Sequence, residues 1–320
     1  MKNILYFFPI AFLTLFAGTL SAQDFTDPVE YFSYFGDEHN GVINKNMEYV
    51  QHAVHSEDLV TIETKRLELI ELIGVTMARV EKVPPFGKDS KMKDEMLEVL
   101  KMYKNSFEIE FNDALTLKKD SKESYEAMEK YIDAMDDAEK KLDKASERFV
   151  KASEEFAEKN EIQLLKNEGN EVVKDLNKLN NYHRNLFLKY FKVSKKNSEF
   201  MDALEKQQAG LMEKKRKELI EDCNSTLKVL SIMPDFKGDT EYLDATKEIV
   251  SFYKELGEGG YAKMVEIVRK NDFTKEDADT YNGVIDTYNT KIPELNAKFN
   301  MAGNNLLRKH IPKPIATKRT

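Results

Sequence analysis

Few side chains in this 320-residue sequence have types and spacings that could do chemistry. His52 and His55 stand three apart, which places both imidazoles on one helical face with Glu48 a turn back from His52, and these are donor types that hold a divalent metal. The pattern is neither HExxH nor the ExxH of di-iron bundles, so polar or solvent-facing histidines are expected, with no metal and no cofactor. Cys223 sits at an apolar helical position beside Glu221 and Asp222, whose charges oppose a thiolate, and no histidine is near it in sequence, so a buried structural thiol is expected. Gly257-Glu258-Gly259-Gly260 lacks the Lys-Ser/Thr of a phosphate loop and carries a carboxylate that would repel phosphate, so it reads as a helix break. The carboxylates Asp136 and Asp137 lie in a highly charged helix and carry no acid/base signature. No nucleophile and base can be paired, and the expectation is that the chain is not an enzyme.

Tyr31, Phe32, Tyr34 and Phe35 are the remaining concentration of unusual side chains. Two readings stand for them: a cap strapped over the end of a helical bundle, or an exposed aromatic patch for a partner or glycan. They are the candidate partner-binding residues.

The elements that must position these groups are helices. Apolar residues recur three and four apart from Ile62 through Leu69, Ile73, Met77 and Val80; from Met92 to Phe111; and from Tyr125 through Met128, Ile132, Met135, Leu142, Phe149 and Phe156. Val83-Pro84-Pro85-Phe86-Gly87 stops the first of these helices, Asp89 or Ser90 caps the second, and Ser121 is placed to cap the third. A further helical pattern runs from about Asn160 to Lys196 and leads into the helix that carries Phe200, Leu204, Leu211, Leu219, Cys223 and Leu227.

KRLELIE at Lys65 to Glu71 returns as KRKELIE at Lys215 to Glu221, 150 positions later (215 − 65). The same offset carries Pro84, Phe86, Asp89, Glu98 and Tyr103 onto Pro234, Phe236, Asp239, Glu248 and Tyr253, and later Phe149, Ala152 and Lys159 onto Phe299, Ala302 and Lys309. Between these anchors the offset becomes 153, with Ser121-Lys122-Glu123 on Thr274-Lys275-Glu276 (274 − 121) and Ile132-Asp133 on Ile285-Asp286. Unrelated helices of similar composition do not restore a lost register, so the pattern predicts a duplicated unit. In the second copy Pro293 is expected to kink or break the last helix, and Phe107 to Glu110 of the first copy is expected to be plain helix where the second has its glycines. The fold expected is all-α: two tandem, internally duplicated, antiparallel long-helix bundles in an elongated molecule, with repeat 1 over 23–160 and a linking helix plus repeat 2 over 161–312.

Composition agrees with helices, since 41% apolar and 33% charged residues come with only 13 glycines and 8 prolines. Residues 1–22 combine Lys2, an apolar run from Ile4 to about Phe16, and small residues up to Ala22, which is the layout of a signal peptide cut before Gln23. The run is too short to span a bilayer, and no later segment approaches a spanning length. The formal charge of −8 becomes −9 when Lys2 leaves with the leader, which gives no reason to expect nucleic acid. Residues 313–320 form a short basic tail of the kind that is usually disordered.

Tyr34-Phe-Gly-Asp-Glu-His-Asn-Gly-Val-Ile-Asn44, the ending Phe149-x6-Phe156-Ala-Glu-Lys-Asn-Glu-Ile162 and its partner Phe299-x6-Leu306-Leu-Arg-Lys-His-Ile311 together carry a resemblance. The chain resembles an uncharacterised family of secreted helical surface proteins from Bacteroidetes and Leptospira. That resemblance implies an exported protein, in the periplasm or on the outer cell surface, and brings no catalytic residues. The expected function is a non-enzymatic envelope or surface scaffold that binds a protein or envelope component through residues near Tyr31 to Phe35 or through the groove between units; the alternative is a periplasmic small-ligand or metal-binding protein.

Overall fold

Capping side chains, prolines and left-handed residues set several of the helix boundaries. In the computed structural model residues 25–55, 58–164, 168–270 and 272–312 are described, 51–55 and 168–171 by their backbone alone. Among the described residues the elements are all helical: α1 Pro28–His55, α2 Leu59–Lys82, α3 Lys91–Asn105, a π-helical turn Ser106–Glu110, α4 Phe111–Lys118, α5 Tyr125–Lys159, α6 Glu168–Glu205, α7 Ala209–Ile232, α8 Glu241–Glu258, α9 Gly260–Arg269 and α10 Lys275–His310. No helix among them is long and apolar enough to cross a membrane.

Asp58 caps α2 by accepting from the amide of Val60, and Val83-Pro84 ends that helix in extended backbone. Two short turns then follow the same design. Phe86 and Asp89 exchange main-chain hydrogen bonds, as do Phe236 and Asp239, and in each turn the aspartate side chain accepts from the amide two residues on, Lys91 or Glu241. Both turns need left-handed backbone, supplied by Gly87 (φ 61°) in one and by Lys237 and Gly238 (φ 54° and 84°) in the other.

Four details differ from the sequence expectation. Ser124, not Ser121, caps α5; residues 119–123 fold as turns, and Ser121 instead donates to the carbonyl of Lys118. Phe107 to Glu110 is not plain helix but π-helical. α10 runs unbroken through Pro293. Pro293 and Asn289, whose carbonyl the missing amide hydrogen would have reached, are both exposed, so water can satisfy the freed acceptor. The helix expected to continue from Phe200 to Leu227 is two helices. Gln207 takes φ 51°, and the amides of Gln207 and Gln208 reach back to Leu204 and Ala203, closing α6 in a Schellman turn.

Two large apolar cores result. One collects Tyr31, Phe35, Leu69, Tyr103, Phe149 and Phe156 among others and ends with Val173 and Leu176 of α6. The other starts at Leu179 of the same helix and runs to Leu307. A small cluster of Met128, Ile132 and Phe191 packs between α5 and α6. α6 therefore serves both cores.

Candidate functional site: the cleft beside the α5 and α6 seam

Tyr31 and Phe35 are fully buried, Tyr34 is 8% exposed and Phe32 is partly buried, so the four aromatic candidates do not form an exposed patch. Tyr31 packs against Phe86 and Phe156 with ring centres 5.3 Å away in each case, and Phe32 stacks on Phe156. The hydrophobic gain from closing the bundle end over these rings exceeds what they would obtain in solvent, and they form the cap.

The other sequence candidates separate. His52 and His55 fall in the last turn of α1, but their side chains lie outside the described residues. His39 is buried against Phe149 at 4.0 Å between ring centres, with Nε2 2.9 Å from the Tyr103 hydroxyl, and burial lowers its pKa to about 3. Cys223 is completely buried, and burial together with Asp222 pushes its thiol up to about 12. The Gly257–Gly260 segment breaks the helix at Gly259, between α8 and α9, as expected. Its glycines also allow close approach: a Cβ on Gly257 would lie 2.9 Å from Ile220, and one on Gly260 would lie 2.8 Å from Val284.

A cleft of about 610 Å³ lies apart from the candidates that the sequence suggested. The first half of α5, the middle of α6 and the last turns of α10 enclose it, with the end of α1, Leu59 of α2 and the turn after α4 at its edges. Met128, Ile132, Met135 and Phe187 form an apolar wall, and Lys118, Lys119 and Lys122 stand at one end. Gly303 of α10 lets the stacked rings of His183 and Tyr242 approach the helix; a Cβ there would lie 3.2 and 3.1 Å from them.

A buried polar network on α5 and α6 also lines the cleft. Arg184 of α6 donates to both carboxylate oxygens of Glu139 and to Asp136 on α5, and Asn180 donates its amide to Glu139 at 3.0 Å. Glu139 is 6% exposed and Asn180 3%. Burial works against the charge on Arg184, but Glu139 and Asp136 outweigh it and hold the guanidinium pKa above its ordinary value. Two buried polar atoms, Oδ1 of Asn180 and Nε of Arg184, have no protein partner. Burial also pushes Tyr131, beside this network, up to about 12. Asp136 is half-buried on the α6-facing side, where it is the second acceptor of Arg184.

Both carboxylates are engaged by one guanidinium, and the tyrosine hydroxyl stays protonated at neutral pH. The sequence did contain a signal for this site. Met128, Ile132, Met135, Leu142 and Phe149 define the buried face of α5, and Glu139, four after Met135 and three before Leu142, is a carboxylate on that face. No family model, curated protein or solved structure matches the chain.

Proposed function

We propose that the chain is an exported, non-enzymatic binding protein: two tandem copies of one antiparallel helical module in an elongated molecule, with the cleft at their junction as the recognition site. The duplication is supported by features that recur at constant offsets. Arg66 is held by Glu63 and donates to the carbonyl of Phe107; Arg216 is held by Glu213 and donates to that of Gly257. Lys159 pairs with Asp89, and Lys309 with Asp239. Tyr31 packs on Phe86 as Tyr182 does on Phe236, and Lys45 pairs with Glu68 as Lys196 does with Glu218; the α1 and α6 members are 151 apart (182 − 31, 196 − 45) and their partners 150 (236 − 86, 218 − 68). By this correspondence α6 stands for α1, α7 for α2, α8 and α9 for α3 and α4, and α10 for α5. Helices of 35, 36 and 38 residues, rods of over ~50 Å, favour the elongated reading.

One observation carries the functional reading. The network in the cleft has no counterpart: the caps of α5 and α10 (274 − 124) and their Lys159 and Lys309 (309 − 159) are both 150 apart, so Glu139 corresponds to Asn289, while Asn180 corresponds to Val29 and Arg184 to Ser33 (184 − 33 = 151). What a duplicated fold needs, it repeats; a buried ion network present once, beside a cleft, serves something the fold does not need. Recognition thus belongs at the groove between units and not at Tyr31 to Phe35. The ordinary size of the cleft, within the ~300–1,000 Å³ of small-molecule sites, favours a small ligand over a macromolecular partner.

Expression with its own leader in a double-membraned bacterium, fractionation and native mass spectrometry test this. The reading expects an exported chain carrying a small-molecule adduct that is absent from Met135→Trp, which fills the cleft. A chain retained in the cytoplasm, a wild type carrying nothing, or an adduct that survives Met135→Trp contradicts it.

A further inference from the structure

We infer that the cleft takes an uncharged, mainly apolar small molecule bearing a neutral hydrogen-bonding group; this rests on the cleft being the binding site. The basis is that the charged side chains around the cleft answer one another. Arg184 is bonded to Glu139 and Asp136. Lys118 and Lys122 each have a partner. The turn that carries them folds back on itself, with the amide of Ser121 on the carbonyl of Lys118 and that of Glu123 on Asp120, so two exposed carboxylates stand among the lysines. Four cationic side chains, Lys118, Lys119, Lys122 and Arg184, are thus set against four carboxylates, Asp120, Glu123, Asp136 and Glu139.

An ion that enters the cleft gives up its water, and no group there repays the loss. An anion has to compete with Glu139 and Asp136 for Arg184, and with Asp120 and Glu123 for the lysines. Lys119 is exposed and keeps its own hydration, so an ion pair with it contributes little. A cation finds Glu139 and Asp136 already taken by the guanidinium. An uncharged molecule avoids these costs and gains by covering the apolar wall.

What the cleft offers such a molecule is apolar surface and neutral amides. Met128, Ile132, Met135 and Phe187 form the wall, and its two methionines are flexible and polarisable enough to adapt to a ring system. Asn300 and Asn304, one turn apart on α10, line the same cleft with amides that both donate and accept. At the offset of 150 that relates Phe149 to Phe299, their equivalents on α5 are Val150 and Glu154, so this amide pair belongs to one copy only.

Isothermal titration of the purified chain with three molecules that share one ring system tests the inference: 2-naphthylmethanol, 2-naphthoate and 2-naphthylmethylammonium. The alcohol is expected to bind one to one, about tenfold or more tighter than either ion. Its affinity should not change as salt is raised. Asn300→Ala/Asn304→Ala, at exposed positions that do not hold the fold, is expected to lose about three- to tenfold in affinity for the alcohol. Met135→Trp should abolish binding. An ion that binds as tightly as the alcohol, with both lost in Met135→Trp, overturns the uncharged ligand class and leaves the cleft as a binding site. Unchanged affinity in the double variant overturns the assignment of the amides. Binding of the alcohol that is untouched by Met135→Trp overturns the cleft as well, and failure of the alcohol to bind overturns the inference.

Discussion

Arg216 donates to the main-chain carbonyl of Gly257, 41 residues ahead, and Arg66 donates to the carbonyl of Phe107 across the same separation. Both carbonyls lie where a long helix is interrupted, by a π-helical turn in one case and by the break at Gly259 in the other. An interrupted ladder leaves acceptors without their usual amide, and a guanidinium held in place by a glutamate three residues earlier supplies the missing donor. Replacing Arg216 with methionine keeps the apolar stem and removes this donor, so urea unfolding should show a loss of ~1.5–3 kcal/mol. Arg66→Met should cost at least as much, because Arg66 is the more buried of the two and also reaches Asn112.

The network in the cleft makes a sharper stability prediction. Arg184→Leu leaves Glu139 buried without its partner and should destabilise the chain by ~3–5 kcal/mol. Glu139→Ile/Arg184→Leu removes both charges, so the double variant should be more stable than Arg184→Leu alone. A urea series on the three proteins reads this; a double variant less stable than the single one would show that the pair is not an isolated buried charge couple.

Glycines separate into those that hold helices close and those that do not. Gly260→Ala should destabilise by ~1–3 kcal/mol because the new methyl meets Val284 at 2.8 Å, and Val284→Ala should recover most of that loss. Gly283, also in a helix, has open space where its Cβ would be, and Gly283→Ala should stabilise by ~0.4–1 kcal/mol. Thermal unfolding that moved in the same direction for both variants would contradict the close approach of α9 and α10.

The capping box of α10 gives a pH dependence. Thr274 and Asp277 bond each other's main-chain amides, and the bonds from Lys270 and Thr274 lower the Asp277 carboxyl from 3.8 to about 2. A depressed carboxylate contributes stability that is fully present above pH 3.8 and is lost as pH falls through about 2. Asp277→Asn should therefore be less stable than wild type at pH 6, and the difference should shrink on titration to pH 2. A difference that held constant over that range would remove the carboxylate from the cap.

The helices and their proline punctuation were legible because apolar spacing and Pro84 or Pro234 act locally. The recurrence of Arg66 and Phe86 at Arg216 and Phe236 was legible for the same reason. The break after Glu205 was not, since the left-handed residue that makes it is Gln207 and not a glycine, and the interruption at Ser106–Glu110 carries no glycine or proline either. The aromatic segment concealed its role differently. Tyr31 and Phe35 have the composition of a surface patch, and only the rings they meet from far along the chain, Phe86 and Phe156, make them core. The cleft depends on three helices meeting, so no single stretch reveals it; Glu139 on the buried face of α5 was its one local trace.

Methyl resonances of ¹³C-labelled methionine report directly on the central claim, that the junction cleft is where this chain binds. Met128 and Met135 line the cleft, whereas Met212 and Met264 are buried in the core formed by α6 to α10. On addition of the small molecule released from the purified wild-type chain the account predicts that the Met128 and Met135 methyls shift and saturate together while Met212 and Met264 stay in place. Shifts confined to methionines outside the cleft, with Met128 and Met135 unmoved, would contradict it.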